Sequence, residues 1–179
     1  MKILKIVMAI ATMLFMSNTV LAQNQETAYA YAEAVVPLML NKGTNDLAFG
    51  ALQPDPLAAA TLTISAAETP TVTKGGGSNL IVYNFKPQTA AEFDLTGSPF
   101  GGFIITHPST ATLTNTDSGN SETMTVDNFT SNATYSFNTL DFIKNDGTYK
   151  IYIGGTLNIG AAQAVGSYTG TFEVTVNYF

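Results

Sequence analysis

The chain has 179 residues and a formal net charge of −6, and only 11% of its residues are charged. An average soluble domain carries roughly 25% charged residues. Cysteine and tryptophan are absent, and all seven basic residues are lysines. The lack of cysteine excludes disulfide scaffolds, thiolate zinc sites and cysteine nucleophiles. The acidic balance without arginine argues against a nucleic-acid partner.

The first 22 residues have the pattern of a signal peptide. Lys2 and Lys5 precede an apolar run that is too short to span the roughly 30 Å hydrocarbon core of a bilayer. The tail ends at Ala22 with the small or short residues that signal peptidase accepts. We expect cleavage before Gln23 and export to the periplasm, the cell surface or the medium, with no membrane span afterwards. An uncleaved N-terminal anchor is the alternative.

The rest of the chain predicts strands. Apolar and polar residues alternate with period two, as on half-buried strands. The alternating segments, in chain order, are 34–40, 60–65, 123–127, 149–153 and 171–178. Asn79–Phe85 is apolar on both faces, which predicts a central strand, and Leu57–Ala60 could form one helical turn. The regular spacing of roughly ten strand candidates favours a single all-β domain, a sandwich or barrel, over residues 23–179.

Turn residues separate these segments. Asn145-Asp146-Gly147 lies between apolar runs, and Asp-Gly there predicts a hairpin with a type I′ turn, in which both central residues have positive φ. This hairpin would join residues 140–143 to 149–153. The glycines at 75–77 lack the following lysine of a phosphate loop, so a flexible hairpin tip is the better interpretation.

Few residues suggest chemistry. His107 is the only histidine, and the sequence contains no Gly-x-Ser-x-Gly elbow that would supply a serine nucleophile. Glu92 and Asp94 share one face of a strand, as paired glycosidase carboxylates could, but such acids are usually just solvated. We predict no catalytic residue, no cofactor and no enzymatic activity.

Two polar segments have alternative interpretations. Asn115–Glu122 offers oxygen atoms that calcium would accept, but its spacing does not match a helix–loop–helix site, and a polar turn is favoured. Thr110, Thr112, Thr114 and Thr116 place four hydroxyls on one strand face. This face could present a flat hydroxyl array to a surface, although β-branched threonine is also common on the solvent face of strands. We predict no metal site.

The C-terminal half resembles the closing signature of a bacterial secreted family known as domain of unknown function 4402. The signature runs from Ile153 to Gly160 and continues through Gln163, Gly166, Tyr168, Gly170, Phe172 and residues 174–178. Earlier segments that fit are 47–50, 91–97 and 104–106, together with Met124, Val126 and Phe129.

The last strand also resembles that of chaperone–usher pilus subunits. Tyr178 is penultimate, Val176, Val174 and Phe172 alternate before it, and Gly166 is fourteenth from the end. The resemblance implies an immunoglobulin-like antiparallel β-sandwich of roughly eight to ten strands, completed by a neighbour's N-terminal strand. It also implies strand-pairing roles for these five residues. The chain departs from that pattern in lacking a disulfide and in having a short arm, Gln23–Ala32, without large aliphatic residues.

The sequence therefore predicts an exported, non-enzymatic β-sandwich that acts as a structural or adhesive subunit at the cell surface. Its partners would be other copies of itself or related surface subunits. The alternative is a stand-alone secreted module that binds a ligand such as a glycan. Tyr29, Tyr31 and Tyr152 could supply an aromatic platform for it.

Overall fold

A computed structural model describes residues 25–76, 79–117, 119–133 and 141–179, and within them the fold is all-β. The described residues contain antiparallel strands and no helix. This part of the chain therefore has no helix that is long and apolar enough to cross a bilayer. The strands are β1 Met39–Lys42, β2 Ala51–Gln53, β3 Ala60–Ile64, β4 Val72–Gly76, β5 Ile81–Tyr83, β6 Ala91–Thr96, β7 Phe103–Thr106, β8 Thr110–Asn115, β9 Thr123–Ser131, β10 Thr148–Ile159, β11 Tyr168–Thr169 and β12 Thr175–Tyr178.

The chain divides into two units, with the boundary after Ala34. The described part of the first unit, residues 25–34, has no regular secondary structure, and its residues are exposed. All the described strands belong to the second unit. The predicted signal peptide and its cleavage site lie outside the described residues.

Most strands of the second unit form one antiparallel sheet in the order β1-β6-β10-β9-β8-β11, with β3 and β4 joined to it through β10. Two small antiparallel pairs, β2 with β5 and β7 with β12, complete the sandwich-like fold. The predicted fold class is confirmed. The described residues form twelve strands, somewhat more than the eight to ten expected.

The core lies on the inner face of the large sheet. Leu62, Ile64, Val126 and Leu157 are buried there, while their strand neighbours Thr63, Thr125 and others are half-buried or exposed. This burial pattern confirms the alternation predicted for β3 and β9. In β10 the predicted alternation over 149–153 is interrupted, because Ile151, Tyr152 and Ile153 are all buried. The small pairs contribute side chains to the same core, for example Phe103, whose ring meets that of Tyr149 edge-on at 5.0 Å.

β10 is the central strand, and it changes partners halfway along its length. Its residues up to Ile153 pair with β6, and those from Gly155 onward pair with β3. β9 stays paired with β10 on the other side through a bulge that contains Asn128, whose φ is 46°. Asn tolerates the left-handed conformation better than most residues do. Gly154, where the partner changes, lies in the family signature.

Three predictions about local structure are wrong. Asn79–Phe85 does not form a central strand: among the described strands β5 pairs only with β2, and Ile81 and Tyr83 are exposed. Tyr83 tolerates this position because its hydroxyl donates to Gln53 at 2.7 Å. Gly75 and Gly76 belong to β4 rather than to a hairpin tip, and Gly77 lies outside the described residues. No helical turn forms at Leu57–Ala60, because Ala60 already begins β3.

The predicted type I′ turn is also absent. Lys144 donates its N–H to Thr148 and accepts from the N–H of Gly147, both at 3.0 Å. Among these residues only Gly147 has positive φ, at 78°. This is the three-residue hairpin loop in which a left-handed glycine follows an ordinary turn. Of the strand expected before the turn, Leu140 lies outside the described residues and Phe142 forms only an isolated bridge with Gly102.

A buried carboxylate anchors the loops at one end of the sheet. Asp55 is 1% exposed, and its two oxygens accept the N–H groups of Leu57 at 2.8 Å and Asn79 at 3.0 Å. Its carbonyl oxygen accepts the N–H of Ala162 at 2.9 Å. The N–H groups of Leu57 and Asn79 hold the pKa of the Asp55 carboxyl below its usual 3.8. Asp55 therefore connects three loops that are distant in sequence.

This anchor predicts a dependence of stability on pH. The folded-state pKa of Asp55 is lowered, so its contribution to stability is complete above pH 3.8 and disappears as pH falls through the folded pKa. We expect Asp55→Asn to lower Tm at neutral pH and to lose part of the acid sensitivity of the wild type. Thermal melts from about pH 7 down to about pH 2.5 test this. The control is Asp46→Asn, at an exposed ion pair, and an equal effect there would contradict the prediction.

Candidate strand-pairing site

The C-terminal strand packs its apolar row toward the core. Phe172, Val174, Val176 and Tyr178 are half-buried and pack against the core, whereas their chain neighbours are exposed. The alternation thus extends over the whole predicted segment. The strand itself is shorter than predicted and begins at Thr175, because its partner β7 ends at Thr106. Pro108, two residues beyond β7, has no N–H to continue a ladder.

The aromatic residues at both ends of the row have specific contacts. The ring of Phe172 lies 4.9 Å from that of Phe129 on β9. The Tyr178 hydroxyl donates to the carbonyl oxygen of Val36 and accepts from the N–H of Ser98, both at 2.6 Å. The N–H of Val36 in turn donates to the Ser98 hydroxyl at 2.7 Å. Tyr178 therefore connects the start of the β unit to the loop after β6.

Glycines make room for this end of the chain. A Cβ at Gly97 would lie 2.5 Å from the Tyr178 hydroxyl, and a Cβ at Gly101 would lie 2.8 Å from the Tyr178 ring. A Cβ at Gly102 would meet the ring of Phe179 at 2.1 Å. Ala91–Gly97 is one of the segments on which the family resemblance rests, and its final glycine thus has a packing role. Sequence reasoning did not connect these glycines with the last strand.

Gly166 lies apart from the other four predicted residues. It is in the loop before β11, and a Cβ there would meet the Asn115 side chain at 2.4 Å. Its φ of 150° also favours glycine. Asn115 is buried and donates to the carbonyl oxygen of Val165 at 3.2 Å. The structure thus places Gly166 in a loop-packing contact and groups the four residues of the last strand together.

β12 pairs with one strand only. Its register with β7 runs from Thr175 opposite Thr106 to Tyr178 opposite Phe103. Within the described ranges no second strand pairs with β12, so its outer edge is open there. This edge carries Thr175 and Asn177 and no lysine or proline. By contrast, the edge strands β1 and β4 of the large sheet contain Lys42 and Lys74.

The residues considered for catalysis lie elsewhere. Glu92 and Asp94 do share a face, but the Lys150 ammonium pairs with both carboxylates, at 3.0 Å from Asp94. The hydrogen bonds from Lys150 to Glu92 and to Asp94 raise the pKa of Lys150. Glu92 also accepts from Asn45 at 3.2 Å. The arrangement is an ion-pair network that joins β6 to β10. The ring of His107 lies 6.1 Å from that of Phe129.

In the oxygen-rich turn after β8, the side-chain oxygens of Asn115 and Asp117 accept backbone N–H groups. Asn115 accepts the N–H of Asp117 at 3.0 Å, and the carbonyl oxygen of Asp117 accepts the N–H of Asn120 at 3.1 Å. The Asp117 carboxylate accepts the N–H of Ser167 at 3.4 Å. In the part of the chain that the structure describes, no three His, Cys, Asp or Glu residues gather as metal ligands would.

We therefore expect calcium to leave the stability unchanged. Adding EDTA, or excess calcium after EDTA, should move Tm by no more than the error of the measurement. A protein bound to calcium would gain stability as free calcium rises above its Kd. A clear fall in Tm with EDTA that calcium reverses would contradict the prediction and assign the ion to the Asn115–Glu122 turn.

Comparison with known protein families identifies the chain. The model of a family described as a domain of unknown function, DUF4402, matches residues 39–178. These residues begin with β1 and end with the last residue of β12, so the match covers all the strands. No curated protein and no solved structure matches the chain. Since the family model covers more than half of the sequence, the chain belongs to the domain of unknown function family DUF4402.

Proposed function

We propose that this protein is an exported structural or adhesive subunit of the cell surface that associates through the open edge of β12. The observation that carries the proposal is the composition of this edge. Exposed edge strands are usually protected from pairing by lysine, proline or bulges. β12 has none of these, whereas two edge strands of the large sheet carry lysines.

The N-terminal arm has the properties of a strand donor. Residues 25–34 are exposed and make no ladder, so their backbone groups are free to pair with another copy. Tyr29 and Tyr31 alternate with alanines, and their rings lie 6.3 Å apart on one side of the arm. A strand with alternating large side chains that adds to an open edge gains backbone hydrogen bonds and side-chain burial together. The arm of one copy would pair with β12 of the next, without catalysis.

Removing the arm tests the proposal. Deleting Gln23–Ala32 should abolish oligomers in size-exclusion chromatography and leave a folded monomer with the wild-type melting transition. Asn177→Lys, which adds a charge to the open edge, should also weaken assembly, because edge lysines oppose strand addition. The matched control, Thr112→Lys, places the same charge on an inner strand. Oligomers that persist without the arm would exclude donor-strand assembly and favour a stand-alone module.

A further inference from the structure

A concave pocket lies where the start of β3, the start of β9 and the end of β10 meet in the large sheet. Its volume is about 390 Å³, within the range of about 300–1,000 Å³ typical of small-molecule sites. The floor crosses three adjacent strands, where Thr61 pairs with Asn158 and Asn158 pairs with Thr125. The walls come from the start of β3 and from the loop after β10. The predicted strand-pairing residues do not line this pocket.

The lining combines hydroxyl and amide groups with small apolar surfaces. Its polar side chains are Thr61, Thr123, Thr125, Asn158 and Gln163, and its lining includes no charged side chain. Ala59 supplies the exposed apolar part, whereas Ala60, Met124 and Ile159 are buried core residues at its edge. Without charge, the pocket offers little to an ion. A saccharide presents both neutral hydroxyls and apolar C–H surfaces, which match this lining.

The polar groups of the floor are free to bind. Among the described residues, the hydroxyls of Thr61 and Thr125 make no hydrogen bond, and Asn158 uses only its NH₂ group, which donates to the carbonyl oxygen of Thr125 at 3.3 Å. Further along the same face, Thr63 and Thr156 bond each other at 2.9 Å. The pocket therefore contains unpaired hydrogen-bond donors and acceptors.

Hydrogen bonds hold the wall of the pocket in place, and a close approach between strands limits its opening. Gln163 is held at both ends: it accepts the N–H of Gly160 at 3.2 Å and donates to the Tyr168 hydroxyl at 2.9 Å. Gly75 stands opposite Thr61 in the β3–β4 ladder, and a Cβ at Gly75 would lie 2.6 Å from the Thr61 hydroxyl. Any other residue at position 75 would thus cover that hydroxyl. Rigid positioning of polar groups favours specific binding, since less freedom is lost when a ligand arrives.

From this arrangement we infer that the pocket above Asn158 binds a neutral saccharide, with Thr61, Thr125 and Asn158 as its hydrogen-bonding residues. The exposed Ala59 methyl group packs against the C–H surface of a sugar ring, and the free hydroxyls and amide oxygen of the floor bond its hydroxyls. This site is independent of the open edge of β12, so it would be present in a monomer as well as in an assembly. An adhesive subunit with such a site would attach to surface polysaccharide.

Titration with defined oligosaccharides tests the inference. The probes are maltohexaose, cellohexaose, xylohexaose and the hexamer of N-acetylglucosamine, added to full-length protein while ¹H–¹⁵N spectra are recorded. At least one probe should shift the amide signals of Thr61, Thr125, Asn158 and Gly160 in a saturable manner. Absence of saturable shifts with all four probes, or shifts confined to other surfaces, would overturn the inference.

Variants separate the pocket from the rest of the threonine-rich face. Thr61→Val with Thr125→Val keeps the β-branched shape, removes two hydroxyls and should raise the Kd about tenfold or more. Gly75→Val should block binding by covering Thr61, with the fold verified by an unchanged spectrum elsewhere. The control is Thr112→Val, an exposed threonine of the same face outside the pocket. An equal loss of affinity in the control would overturn the assignment.

Discussion

A chain that lacks residues 171–179 should fail to fold. The four apolar side chains of the last strand, Phe172, Val174, Val176 and Tyr178, are half-buried against the core. Full burial of such side chains stabilises a protein by about 1.5–3 kcal/mol each, so four half-buried ones contribute about 5 kcal/mol together. The total stability of a domain is only about 5–15 kcal/mol.

The deletion also removes a strand partner and hydrogen bonds, in addition to the buried apolar side chains. β7 would lose its only strand partner among the described residues, and the Val36 carbonyl and Ser98 N–H would lose the Tyr178 hydroxyl. The space left by Gly97 and Gly101 would become a cavity beside Ile143. We expect the truncated chain to show no cooperative melt and a collapsed ¹H–¹⁵N spectrum.

Single substitutions in this segment should cause smaller losses of stability, in proportion to the burial of the side chain. Val176→Ala should destabilise the protein by about 1–2 kcal/mol, because it removes methyl groups from a half-buried position. Glu173→Ala, at an exposed position of the same segment, should change stability by less than about 0.5 kcal/mol. Urea denaturation followed by fluorescence or circular dichroism measures both. A truncated protein that melts cooperatively would show that the last strand is an accessory element.

The sequence predicted those strands that bury one face against the core and expose the other. β3, β9 and the C-terminal segment follow period two, because a sheet face that meets the core selects apolar residues at alternate positions. The central strand β10 departs from it, since Ile151, Tyr152 and Ile153 are all buried. Asn79–Phe85 misled the prediction, since a short apolar run does not show how many strands will pair with it. Leu80 of this run is buried, while Ile81 and Tyr83 lie on a small exposed pair.

The candidate site was predictable only in part, for a similar reason. Alternation placed Phe172, Val174, Val176 and Tyr178 on one face, and the structure groups them in this way. Their contacts come from Phe129, Val36 and Ser98, which are far away in sequence and have no local pattern in common. The pocket above Asn158 likewise depends on the register of three strands. Periodicity shows which residues share a face, but the register between strands decides which residues meet.

We expect a second large loss of stability from substitution of Gly154, because a side chain at this position would collide with backbone atoms. A Cβ at Gly154 would lie 2.2 Å from the carbonyl oxygen of Ile64 and 2.7 Å from the nitrogen of Ala66. At this residue β10 leaves β6 and joins β3, so the end of β3 passes close to the β10 backbone. Backbone atoms within a sheet cannot move aside as a flexible side chain would.

Gly154→Val should therefore destabilise the protein by more than about 3 kcal/mol, the upper range for an overpacked core, and lower Tm by about 10 °C or more. The neighbouring Gly155→Ala is the matched control. Its Cβ would meet the end of the Val126 side chain at 3.1 Å, and this side chain is able to shift, so we expect a loss of about 1 kcal/mol. Equal losses for the two variants would show that the partner change in β10 does not require glycine at position 154.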